Sequence, residues 1–241
     1  MSALTANAIW HDVECGAYAA DLPLWEELAE RCGGQILELG CGTGRVALHL
    51  GRRGHEVVGL DSDPELLAVL AERAEDLPIS TLEADARSFE LDAPASLVLA
   101  PTHLLQLLAD EEERAEALRC IAAALRPGGL LAASILEGLP EPDGSPPPLP
   151  DVREVAGWVY SSLATEVATG PGEIRVRRLR QTVSPEGSLS EEPNEIRIAT
   201  FAAEAFEAEA AACGLVPAGR REIAPTDLHV GSIVVLLTRS A

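Results

Sequence analysis

Three glycines at alternate positions, Gly40, Gly42 and Gly44, stand between two segments of opposite periodicity. Before them lies Q-I-L-E-L, whose Ile36, Leu37 and Leu39 make one short buried strand. After them comes R-V-A-L-H-L-G-R-R-G, apolar at helical spacing and stopped by Gly54. A strand, a glycine turn and a helix form a nucleotide-type site. Glycine reaches positive φ and lets a ligand approach the backbone. The first N–H groups of the helix are free to donate to an acidic group. The dinucleotide pattern G-x-G-x-x-G needs glycine at position 45, where Arg45 stands, so a nicotinamide-dependent oxidoreductase is disfavoured.

The next segments keep the βα rhythm. E-V-V-G-L-D-S-D carries a second strand ending at Asp61, and Pro64 opens a helix. Asp63, directly before that proline, is the expected N-cap, which frees Asp61 to accept from the hydroxyls of a ribose. I-S-T-L-E-A-D-A-R is a third strand with an acidic end at Asp85-Ala86. A-S-L-V-L-A-P-T-H is a fourth, and its carboxyl end brings Ala100, Pro101, Thr102 and His103 to the site crevice. Asp110 caps an amphipathic helix with a solvated acidic face, and L-R-P-G-G-L-L-A-A-S-I turns into a fifth strand.

Residues 137–150 are proline-rich and break the alternation. The stretches 154–167, 174–183 and 194–201 then read as three strands, with turn signals at P-G (171–172) and P-E-G-S (185–188). This antiparallel platform carries apolar residues on one face and Arg175, Arg177 and Arg197 on the other. It either closes over the site or forms a surface for a second copy of the chain. Phe201 to Gly214 is a last helix, followed by a terminal pair of strands.

The spacing E-x-G-x-G-x-G, with Asp61, Asp85-Ala86 and L-R-P-G-G following in order, resembles class I S-adenosylmethionine (SAM) dependent methyltransferases of the small-molecule type. The ordered motifs cover 35–136, and the pattern of 201–239 is similar to the end of that fold. The resemblance implies an α/β architecture: a Rossmann-like seven-stranded, mostly parallel sheet with helices on both faces, plus a small antiparallel strand insertion. It divides the chain into an N-terminal helical lid (1–34), a SAM-binding core (35–136), a linker and platform (137–200) and the end of the core (201–241). It implies methyl transfer from SAM, with S-adenosylhomocysteine as product, to an amine or hydroxyl of a small molecule. Binding of SAM or its product without catalysis is the alternative. Carried over, Gly40, Gly42 and Gly44 pack near the methionine part, Glu38 orients the glycine turn or the SAM amino group, Asp61 takes the ribose and Asp85, followed by the small Ala86, the adenine; Cys41, Ser62 and Ala100, the last near the transferred methyl group, complete the candidate cofactor contacts. His103 is the candidate base. Tyr18, His103, Tyr160, Arg175, Arg177 and Arg197 are the candidate substrate contacts, and Trp10, His11 or Tyr18 of the N-terminal segment are expected to face the ligand.

Charge and cysteine usage narrow the partners. Net charge is −21, and all 18 basic residues are arginine, a usage of GC-rich bacterial genomes. Such a surface repels a nucleic-acid backbone. The five cysteines are scattered without a C-x-x-C pair, so neither a disulfide framework nor a metal site is expected, and a reducing cytoplasm is. No apolar run has the length of a membrane span, and no secretory leader is visible at the N-terminus.

Overall fold

The structure is a computed structural model describing residues 5–140, 149–226 and 229–240. The core strands are β1 (Ile36–Leu39), β2 (Val57–Asp61), β3 (Ile79–Glu83), β4 (Ala95–Ala100) and β5 (Leu125–Ile135), joined at one edge by β10 (Leu215–Ile223) and β11 (Ser232–Arg239). Their order across the seven-stranded sheet is β10-β11-β5-β4-β1-β2-β3. Strands β1 to β5 pair in parallel, and β11 runs antiparallel to both β5 and β10. Every residue of β1 and β4 is buried, the polar Glu38 and Ser96 included, as in central strands covered on both faces.

Helices α2 (Leu22–Cys32), α3 (Arg45–Gly51) and α4 (Pro64–Arg73) pack on one face around Trp25, Leu28, Leu50 and Leu70. Helices α5 (Glu111–Ala124) and α6 (Ala203–Ala212) pack on the other around Leu118, Ile121 and Phe206. The expected fold class is therefore observed. The two predicted caps form: Asp63 accepts from Glu65 N at 2.8 Å, and Asp110 accepts from Glu113 N at 3.0 Å.

The insertion after β5 is a four-stranded antiparallel sheet, β6 (Asp151–Val155), β7 (Trp158–Gly170), β8 (Glu173–Val183) and β9 (Leu189–Ala199). The stretch read as one strand over 154–167 is a hairpin. It turns at Ala156 and Gly157, with φ of 51° and 83°. Two successive positive φ values match the twist of a two-residue hairpin, and alanine gives no sequence warning of one. The other two expected turns fall where proline and glycine announced them. Most of the proline-rich stretch, residues 141–148, lies outside the described residues.

Helix α1 (Ala6–Cys15) packs against α4 of the core and against β6 and β7 of the insertion. Thr5 caps it. Towards the core its Asn7 bonds Asp63, and its buried Asp12 accepts from Thr43 Oγ1 at 2.6 Å and from Arg73 Nη1 at 3.0 Å. Towards the insertion, Glu14 accepts from Arg180 Nε and Nη2, both at 2.8 Å, and from Ser162 Oγ at 2.7 Å. The Trp10 ring meets Tyr160 edge-on at 5.3 Å, with Arg180 over it at 5.2 Å. Burial opposes ionisation of Asp12 and Glu14, but the arginines and hydroxyls on each hold both carboxyls below their usual range. Both are anions, so they act only as acceptors.

Candidate functional site

The glycine turn lies at the carboxyl end of β1, where the sheet order sends β2 to one side and β4 to the other. Crevices of this kind are where open α/β sheets bind ligands. The φ angles of Gly40, Gly42 and Gly44 are 59°, 54° and 93°, so all three lie in the left-handed region. All three also make room for a neighbour, Gly44 for Leu70 Cδ1, 2.3 Å from where its Cβ would stand. A Cβ on Gly40 would stand 2.5 Å from Leu104 Cδ1, and one on Gly42 would stand 2.1 Å from His11 Nε2.

A cavity of about 570 Å³ opens over this turn. Gly40 forms its floor beside the strand-end residues Asp61 and Ser62 of β2 and Ala84, Asp85 and Ala86 of β3. The α1 residues His11 and Cys15 cover it. Its far wall is apolar, made by Leu104, Leu107 and Leu108 after β4 and by Ile196 and Ile198 of β9. The volume suits a small-molecule ligand.

The two carboxylates differ. Asp61 accepts from Gly42 N at 2.8 Å through Oδ2 and from Asp63 N at 3.0 Å through Oδ1. Each oxygen keeps a second lone pair for a hydroxyl. Asp85 is forked by Arg87, which donates from its backbone N at 2.8 Å, from Nε at 2.9 Å and from Nη2 at 2.6 Å. These bonds hold the Asp85 carboxyl down at about 2.

Other expected site residues lie behind the cavity wall. Glu38 is buried beneath the turn, with Oε2 unpartnered among the described residues. Burial pushes its carboxyl up to about 8, against the pull of Arg45. Cys41 turns its thiol towards Gly59 of β2, and burial pushes that thiol up. Gly44 packs on Leu70 of α4, and Ala100 is buried in the sheet. Arg45 forks the buried Asp21 at 2.6 and 2.8 Å, an anchor between α2 and the turn.

The turn after β4 is strained. Thr102 and His103 both have positive φ, 49° and 62°. Consecutive non-glycine residues there are uncommon, and such strain gathers at functional sites. Thr102 lines the cavity, whereas the His103 ring bonds Ser232 Oγ at 2.8 Å. Burial lowers the His103 imidazole to about 4. Gln106 fixes the end of this turn. Its amide donates to Leu136 O at 2.9 Å and Ala199 O at 2.5 Å and accepts from Leu136 N at 2.6 Å, tying the ends of β5 and β9 together.

The candidate substrate contacts are dispersed. The Tyr18 ring lies tilted against His229, 4.4 Å between centroids, with Arg45 over it, and lines a separate pocket with Asp12 and Arg45. Tyr160 packs on Trp10. Arg177 pairs with Glu166 at 2.7 Å and Glu195 at 2.9 Å, Arg175 with Glu173 at 2.7 Å, and Arg197 with Glu195 at 3.1 Å. Side chains alternate along a strand. Ile196 and Ile198 face the cavity, so Arg197 and its cross-strand neighbour Arg175 stand on the opposite face. Cavity residues without a role in the strand-end motifs include the leucines after β4, the isoleucines of β9 and the ion pair of Arg87 with Glu113. Alternation marks Ile196 and Ile198 as buried, but only the folded sheet says against what.

Residues 36–129 match the methyltransferase domain family. The match runs from β1 to the first residues of β5, so this segment of the chain is similar to methyltransferase domains. The cypemycin N-terminal methyltransferase of a Streptomyces species is 33% identical over 97 residues, 40% of each chain. The alignable stretch thus spans less than half of that curated relative's length. The sugar N-methyltransferase KedS8 from a Streptoalloteichus species has a similar fold, with a TM-score of 0.75 at 20% identity over 100% of this chain and 95% of its own. SAM-bound CalS10, an amino pentose methyltransferase from Micromonospora echinaspora, gives 0.71 at 20% identity over 100% of both chains. The fold is thus shared with both solved structures along the full length of this chain.

Proposed function

We propose that this protein binds SAM in the cavity over the glycine turn and transfers its methyl group to an amine of a small molecule with an apolar surface. The observation that carries the reading is the division of the cavity. Acidic acceptors line one end, and leucine and isoleucine line the other, with the glycine turn between them. The residues fit the cofactor: Asp61 has lone pairs for ribose hydroxyls, with Ser62 beside it. Asp85 and Ala86 flank the adenine side, and Gly40 leaves room for the methionine part. Glu38, Cys41 and Gly44 support the turn from behind rather than touching the ligand, and Ala100 supports the end of β4.

When bound, SAM supplies an electrophilic methyl on a sulfonium. The chain's own work is to hold an acceptor in line and exclude water, and α1 and β9 cover the cavity for that purpose. A neutral amine attacks without prior loss of a proton, so it needs less from a base than a hydroxyl does. His103, bonded to Ser232, enters this reading as a positioning group for Thr102. The solved structure named as a sugar N-methyltransferase and the curated relative named as an N-terminal methyltransferase support nitrogen as the acceptor.

The test is incubation with methyl-labelled SAM and a panel of amino sugars and hydrophobic amines, read by mass spectrometry of the acceptor. Label on nitrogen supports the reading. Tight SAM binding with no labelled product from any amine or hydroxyl acceptor would favour a binding protein without catalysis.

A further inference from the structure

Three groups form a chain at the edge of the cavity. The Asp12 carboxylate accepts from Thr43 Oγ1 at 2.6 Å, and Thr43 Oγ1 lies 3.2 Å from His11 Nδ1. A hydroxyl has one proton to donate. Asp12 also takes Arg73 and Arg153, at 2.5 and 2.9 Å, and is an anion that can only accept. The Thr43 proton is therefore committed to Asp12. At His11 the hydroxyl must accept, so Nδ1 carries the hydrogen. A neutral ring with Nδ1–H has its lone pair on Nε2. Burial lowers the His11 imidazole despite Asp12 and Asp61 nearby, so the ring is neutral at pH 7.

Nε2 stands over Gly42, where a Cβ would be 2.1 Å away, and His11 lines the cavity beside Gly40 and Cys15. The chain thus presents one neutral acceptor at the glycine end of the cavity. Among the donors of SAM, the ribose hydroxyls and the adenine amine fall to Asp61 and Asp85. The α-ammonium of the methionine part is the donor left.

We propose that His11 is a cofactor contact, with Nε2 accepting from the α-ammonium of SAM and with Asp12 and Thr43 fixing the ring in the tautomer that makes this possible. This inference rests on the SAM-binding reading above. It also gives the covering helix a chemical reason to close: α1 brings Asp12 and His11 to Thr43 together, so the acceptor exists only when the helix is docked.

Two ligands isolate the contact. S-adenosylhomocysteine carries the α-ammonium; 5′-methylthioadenosine has the same adenosine without it. His11→Asn keeps a donor for Thr43 and removes the acceptor. By calorimetry it weakens S-adenosylhomocysteine about tenfold, the size of one charge-assisted hydrogen bond, and changes methylthioadenosine less than about twofold. His11→Gln, which can set an acceptor near the Nε2 position, recovers most of the loss. Thr43→Val leaves His11 in place and gives the same selective loss. In the free protein, imidazole nitrogen NMR reports protonated Nδ1 in wild type and a shift towards protonated Nε2 in Thr43→Val. Equal losses for both ligands, or a wild-type ring protonated at Nε2, would overturn the inference while leaving SAM binding intact. Failure of the wild type to bind S-adenosylhomocysteine at all would overturn the SAM reading and this contact with it, although the tautomer would still be readable.

Discussion

The backbone N–H of Gly42 donates to Asp61 Oδ2 at 2.8 Å, joining the turn after β1 to the end of β2. The bond orients a carboxylate whose remaining lone pairs face the cavity. Asp61→Asn turns one acceptor oxygen into an amide and removes the charge. Losing one charge-assisted bond to a ribose hydroxyl costs about 1.5–3 kcal/mol, so affinity for SAM falls by about ten- to a hundredfold. Calorimetry checks this, and an unchanged Kd would remove Asp61 from the ribose role.

Gly42→Ala tests the close approach of α1. The new methyl would meet His11 Nε2 at 2.1 Å from a backbone with φ of 54°. The left-handed backbone alone costs alanine about 1 kcal/mol, and the clash displaces α1. Thermal denaturation falls by several degrees, and α1 amides exchange faster with solvent. An α1 that keeps its protection would contradict the packing described.

Glu38 makes stability depend on pH. Its carboxyl ionises at about 4.5 when exposed and at about 8 in the fold. Between those values the folded chain holds a proton that the unfolded chain has released, so stability falls as pH rises through this window and levels off above it. Glu38→Gln has no such proton to lose. Its advantage in Tm over wild type grows from pH 5 to pH 8; parallel curves would show that Glu38 ionises normally.

His103 works in the opposite sense. Burial lowers the imidazole from 6.5 to about 4, so the unfolded chain takes up a proton that the folded chain refuses, and stability is lost as pH falls through that window. His103→Asn suits the backbone φ of 62°, since asparagine tolerates that region. The variant flattens the acid limb of a Tm-against-pH curve and keeps SAM affinity. It loses less than about tenfold in turnover, short of the hundredfold or more expected of a lost general base. A larger loss with a changed pH–rate profile would restore His103 as the base.

Gln106 holds three backbone groups of Leu136 and Ala199. Gln106→Leu strands them, at about 1–3 kcal/mol for each group left dry. Chemical denaturation then reports a loss of several kcal/mol, and β9 loses amide protection before the core does. Protection lost everywhere at once would argue against a local clasp.

The glycine turn, the parallel strands, the Asp63 cap and the place of the insertion were legible because each is local. They rest on periodicity, glycine at positive φ, or an acidic residue before proline. The roles of the arginines were not legible in the same way. Alternation puts Arg175 and Arg197 together, but which face meets the cavity is set by how the whole insertion docks on α1. The Ala156–Gly157 hairpin is hidden because alanine seldom takes positive φ. The chain through Asp12, Thr43 and His11 joins an N-terminal helix to the turn after β1, and the two segments only meet in the folded molecule.

The central claim is that the cavity over Gly40 and Gly42 is the SAM site. Its most direct measurement is calorimetric titration of S-adenosylhomocysteine into wild type and into Asp61→Asn. One-to-one binding in the micromolar range that weakens at least tenfold in the variant is the predicted result. Wild type that takes up no ligand, or binding indifferent to Asp61, would contradict the account.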